Sequence, residues 1–123
     1  MKPAARKRSN APIFWALFGA GGMLAALAGP VLVLVTGVLV PLGIGFPDGY
    51  MSHARTLAFA QHPLGKAFLF AVVMLFAWHA AHRIKVSLHD VGIPAGPVAK
   101  LVCYGLAALV TVVAGWSLLS VGF

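Results

Sequence analysis

"IFWALFGAGGMLAALAGPVLVLVTGVLV", residues 13–40, decides the fold of this chain, because it holds no charged side chain and sits inside an uncharged run from Arg8 to Asp48. An α-helix rises ~1.5 Å per residue, so about 20 apolar residues cross the ~30 Å hydrocarbon core of a bilayer. Residues 13–40 are therefore expected to span a membrane. Ser9 or Asn10 can cap the start, Pro12 suits a first helical turn, and Pro41, Gly43, Gly45 and Pro47 end the run. A secretory signal competes for the same stretch, since Ala26-Leu27-Ala28 has the small-residue pattern of a cleavage site. The apolar run continues unbroken from Val31 to Val40, which favours a retained helix.

Working outward, residues 42–62 form a mixed connection. Within it "SHARTLAFAQHP" (52–63) has the character of a short helix lying on the membrane surface. Pro63 opens a second apolar stretch, 64–89, that ends in "WHAAHRIKVSLHD" (78–90). The prolines and glycines of "GIPAGP" (92–97) force a turn, and a third helix follows over 98–122 with no charge after Lys100. The expected fold is an all-α membrane protein of three transmembrane helices, with residues 1–123 forming one membrane-anchor domain. With 61% hydrophobic and 9% charged residues, the composition excludes an ordinary soluble domain.

The net charge of +7 is not a nucleic-acid signal, because four of the nine basic residues (Lys2, Arg6, Lys7, Arg8) directly precede the first helix. They set topology. Together with Arg83, Lys85 and Lys100 they outweigh Arg55 and Lys66 around the first connection, so the positive-inside rule places the N-terminus in the cytoplasm and the C-terminus outside, in the periplasm. The start of the first helix and the end of the second then share one membrane face. Trp15 and the 78–90 cluster lie at similar depth.

Small residues recur at four-residue spacing in the first helix (Gly21, Ala25, Gly29, with Gly22 and Ala26 beside them), a stripe that suits close helix approach or reflects glycine-rich membrane composition. Cys103 reads as a small buried hydrophobe. Lys66 reads as an anchor snorkelling to the external interface.

Intramembrane histidines are costly and point to function. His79 or His82 could ligate haem iron, although no Cys/His/carboxylate set of metal-binding spacing accompanies them. A quinone head group is the second chemistry. Trp15 and Arg83 are donors, and His82 donates or accepts, all near one interface. The plainer alternative makes Arg83 and Lys85 lipid anchors and Trp15 an interfacial belt residue. His89 and Asp90 read as a water-facing helix end. A channel or transporter component would need mid-membrane polar groups, for which only Thr36 and Thr111 are candidates.

"PIFWALFGAGGM" (12–23), "LAFAQHPLGKAFLF" (57–70), His82-Arg83, His89-Asp90, "PAG" (94–96) and "YGLAALVTVV" (104–113) together resemble the family of small hydrophobic anchors, the D subunits, of bacterial fumarate reductases. The resemblance covers nearly the whole chain. It implies a membrane anchor of quinol:fumarate reductase in the bacterial inner membrane, serving anaerobic respiration beside a second anchor subunit, an iron–sulfur subunit and a flavoprotein. It further implies menaquinol as the shared ligand, FAD and iron–sulfur clusters only in partner subunits, and no haem. The family's quinol site maps onto Trp15, His82 and Arg83; where relatives carry histidine after the HR pair, this chain has Lys85 and Val86. A succinate dehydrogenase-type anchor and a scaffold without quinone contact are the alternatives.

Overall fold

The computed structural model describes residues 8–123; Lys2, Arg6 and Lys7 lie outside the described residues. The helices are α1 (Ala11–Leu34, continued by a wider π-helical turn over Val35–Leu39), α2 (His53–Gln61), α3 (Pro63–Asp90) and α4 (Pro97–Ser120). Three stretches are long and apolar enough to cross a membrane: Ala11–Leu39, Pro63–Asp90 and Pro97–Ser120. No strand occurs among the described residues. The sequence places these spans at 13–40, 64–89 and 98–122, within two residues at every end.

Local chemistry explains the ends. The Ser9 hydroxyl accepts from the Ala11 N–H (3.1 Å), so Ser9 rather than Asn10 supplies the first cap. Proline stands in the first turn of α1, α3 and α4, where its missing N–H has no intrahelical partner to lose. α3 stops at Gly92, whose φ of +75° lets the Ile93 N–H reach back to the Leu88 carbonyl (2.9 Å). His89 and Asp90 are exposed at the end of α3. A short helix, α2, occupies the connection as the sequence suggests, and it joins α3 through the single residue His62, whose Nδ1 accepts from the Leu64 N–H (3.2 Å).

α3 is the centre of the molecule: α1, α2 and α4 each pack on it. The seam with α4 is antiparallel, and its cross-helix contacts run Lys66 to Leu118, Phe70 to Gly115, Trp78 to Thr111 and His82 to Tyr104. On the other side α1 approaches through its small-residue stripe. Gly21 is buried, and a Cβ there would overlap the Leu75 carbonyl and lie 2.8 Å from the His79 Cβ. At Gly22 a Cβ would lie 2.7 Å from the His79 ring. The stripe is thus a contact surface at its Gly21–Gly22 end, where the missing side chains admit a neighbouring helix.

Lys66 departs from its sequence reading. It is 7% exposed and does not snorkel outward; its ammonium donates to the Leu118 (2.6 Å) and Gly122 (2.7 Å) carbonyls and sits 4.2 Å from the centroid of the Phe123 ring. The Leu118 carbonyl is in the last turn of α4 and that of Gly122 lies just past its end, where no intrahelical N–H remains to serve them and the helix dipole is negative. Gln61 adds a third such bond, from its amide to the Val121 carbonyl (3.1 Å). A cation at the start of α3 is unfavourable by itself. Antiparallel packing converts it into the cap of the neighbouring helix.

The packed interior is small. Among the described residues only Ala81 and Ala107 are buried hydrophobics, while large side chains such as Leu27, Val33, Leu101 and Val112 are more than two-thirds exposed. Such faces suit lipid or other membrane subunits.

Candidate functional site

Three helices converge where α1 begins, α3 ends and α4 begins. On α1, Ala11, Phe14, Trp15 and Phe18 share one face; on α3, Trp78, His82 and Lys85 do; on α4, Lys100 and Tyr104 do. Each set recurs at three- or four-residue spacing, the period that stacks side chains along a helix face. They enclose an open cavity of about 420 Å³.

His82 stands at its centre. Its ring stacks on Phe18 (centroids 4.1 Å apart, planes at 14°), and its Nδ1 is 3.1 Å from the Tyr104 hydroxyl. Tyr104 lies nearly parallel to Phe18 (6.0 Å) and to Trp78 (6.1 Å), which gives the cavity flat aromatic walls. Trp78 is fixed in turn by its indole N–H, which donates to the Thr111 hydroxyl (3.0 Å), and Thr111 donates to the Ala107 carbonyl (2.8 Å). Lys85 and Lys100 bring two cations to the lining, Lys85 with its ammonium 5.8 Å from the Tyr104 ring centroid. Trp15 lines the cavity while remaining 77% exposed.

The structure therefore brings Trp15 and His82 together. Arg83 is exposed, one residue further along α3 and about 100° around it, and does not line the cavity. The cations in the lining are Lys85 and Lys100, which sequence reasoning does not assign to a ligand, nor does it find Phe14, Phe18, Trp78 or Tyr104. A usable signal is the spacing 78, 82, 85, which marks one α3 face and leaves Arg83 off it.

His79 belongs to a different contact. Its Nδ1–H donates to the Phe18 carbonyl (3.0 Å) and its ring lies against Gly22, so it ties α3 to α1. Among the described residues no three His, Cys, Asp or Glu side chains gather in a metal-binding group. Thr36 and Thr111 both donate to carbonyls four residues back in their own helices (2.7 and 2.8 Å). Thr111 also accepts from the Trp78 indole and so is used on both sides, whereas Thr36 is exposed.

Comparison with known proteins adds the decisive observation. The family model for the D subunit of fumarate reductase matches residues 5–119. The chain belongs to the fumarate reductase D-subunit family. It is 49% identical over 109 residues to the fumarate reductase D subunit of Shewanella sp. (strain W3-18-1), covering 88% of each chain. To the equivalent protein of Actinobacillus succinogenes it is 47% identical over 115 residues, covering 94% of this chain and 95% of the relative. That of Vibrio parahaemolyticus is 44% identical over 108 residues, covering 88% and 86%. Members of this family are multi-pass membrane subunits of the fumarate reductase complex, which accords with three spanning helices whose outer faces are apolar and uncovered. The other subunits of that complex are the implied partners.

Proposed function

We propose that this protein anchors the iron–sulfur and flavoprotein subunits of fumarate reductase to the bacterial inner membrane, and with the second anchor subunit forms a site that oxidises menaquinol in anaerobic respiration. The observation that carries the reading is the cavity itself. It combines parallel aromatic walls, an imidazole, an indole N–H and two ammonium groups. A quinol head group is flat and apolar with a hydroxyl at each end, and it needs that pairing of surfaces. The same end of the molecule carries Arg8, Arg83, Lys85 and Lys100, which under the positive-inside rule puts it, and the N-terminus, on the cytoplasmic face, with the C-terminus in the periplasm. There the electrons of the quinol have the shortest path to a cytoplasmic iron–sulfur subunit.

In this reading Trp15 and His82 hydrogen-bond the quinol oxygens, while Lys85 and Lys100 stabilise negative charge that develops as protons leave. Arg83, exposed beside them, joins the site once the partner subunits close over it. The two aspartates of this chain, Asp48 and Asp90, lie outside the lining, so a carboxylate that takes up the protons the quinol releases comes from the second anchor subunit. The redox chemistry belongs to the quinol and to FAD and iron–sulfur clusters of the partner subunits. A succinate dehydrogenase-type anchor would use the same geometry in the reverse direction.

Trp15→Phe tests the site. It keeps the aromatic wall and removes one donor, so menaquinol-driven fumarate reduction is expected to fall about tenfold, the value of one strong hydrogen bond to a ligand. Fumarate reduction driven by a soluble dye reports the assembled complex and is expected to persist. Loss of both activities, with flavoprotein released from the membrane, would replace this reading with that of a scaffold lacking quinone contact.

A further inference from the structure

His82 is held on two sides before any ligand arrives. Its ring face rests on Phe18 of α1 and its Nδ1 meets the Tyr104 hydroxyl of α4, which leaves Nε2 as the one ring nitrogen without a partner among the described residues. An imidazole whose Nδ1 is matched has its ring orientation set by that match, and its tautomer follows from which partner donates. A phenol hydroxyl both donates and accepts. It can accept from Nδ1–H, so that Nε2 presents a lone pair, or donate to Nδ1, so that Nε2 presents an N–H. Those are the two things needed by a ligand whose oxygen is a hydroxyl in one redox form and a carbonyl in the other.

Tyr104 is itself well braced. Its ring packs in parallel with Phe18 and Trp78, Trp78 is locked by Thr111, and the Lys85 ammonium lies over the Tyr104 ring. The hydroxyl is therefore presented to His82 by all three spanning helices. We propose that Tyr104 is a positioning residue of the quinol site, which holds His82 by Nδ1 and matches its Nε2 to both the hydroxyl of menaquinol and the carbonyl of menaquinone. The proposal rests on the quinol-site reading above.

Tyr104→Phe keeps the aromatic packing and removes only the hydroxyl. Menaquinol-driven fumarate reduction by the intact complex, normalised to membrane-bound flavin, is expected to lose about fivefold in kcat/KM, the usual weight of one hydrogen bond. The deciding measurement is a double-mutant cycle with His82→Leu. A residue that acts through His82 has nothing left to act on there, so Tyr104→Phe is expected to cost less than about twofold in that background. An equal loss in both backgrounds would identify packing alone and overturn the proposal, as would no loss in the otherwise native complex. If Trp15→Phe and His82→Leu impair quinol oxidation while Tyr104→Phe does not, the proposal fails and the site stands. If neither impairs it, the site reading fails and takes the proposal with it. A readout independent of the variants is the ring ¹⁵N signal of His82 in the native complex. The Nδ1–H tautomer is expected with menaquinol bound and the Nε2–H tautomer with menaquinone, and one and the same tautomer in both redox states would overturn the assignment.

Discussion

Gly21→Leu is expected to abolish accumulation of the intact complex in membranes, whereas Gly19→Leu, only two residues away, leaves the α1–α3 seam undisturbed. A Cβ at Gly21 would overlap the Leu75 backbone carbonyl, which cannot move without shifting α3; at Gly19 nothing lies within 4 Å. Overpacking a close contact costs about 3 kcal/mol or more when backbone must yield. Helix association in lipid has no hydrophobic driving force to offset that, because the tails are as apolar as the side chains. His79 would be displaced too, and with it the bond to the Phe18 carbonyl. Cysteine pairs across α1 and α3, scored for crosslinking in membranes, provide the measurement. Equal crosslinking in the two glycine variants would show that the stripe tolerates bulk and that the contact is incidental.

The second large effect is expected at Lys66. Lys66→Met preserves the length and apolar stem of the side chain but leaves the Leu118 and Gly122 carbonyls without their charged donor. Hydrogen bonds to a charged group contribute about 1.5–3 kcal/mol each, and part of that returns when an ammonium no longer has to be desolvated, so a net loss of ~3 kcal/mol is expected. The end of α4 should fray, seen as faster digestion by a carboxypeptidase and a lower Tm of the detergent-solubilised complex. Lys66→Arg keeps a cation and should recover part of the difference. An unchanged Tm for Lys66→Met would mean that Gln61, with its bond to the Val121 carbonyl, is a sufficient cap.

Both effects show what a linear reading of the chain can and cannot reach. The three spanning helices are legible because hydropathy and proline punctuation are local properties, recorded within a window of ~20 residues. Trp15 and His82 are legible as a pair because the charge distribution puts their helix ends on one face. Lys66 is misread because its partners are more than 50 residues away, and backbone carbonyls at a helix end have no signature in the sequence. Phe18, Trp78 and Tyr104 escape notice for a related reason: aromatic residues are common in membrane helices, and only the packing of three helices at once makes three of them parallel. Arg83 draws attention as a charge inside an apolar stretch. Its neighbour Lys85 has the helical phase that reaches the cavity.

The central place of α3 has a consequence for synthesis. α1 leaves the ribosome first, yet the face it needs is completed only when Leu75 and His79 emerge, nearly 60 residues after Gly21. At about 5–20 residues per second that interval lasts roughly three to twelve seconds. For that time the glycine notch of the first helix lacks the α3 residues that fill it in the folded protein. A chaperone or translocon component that shelters such a notch, or a protease that recognises one left open, would have its whole decision to make in those few seconds.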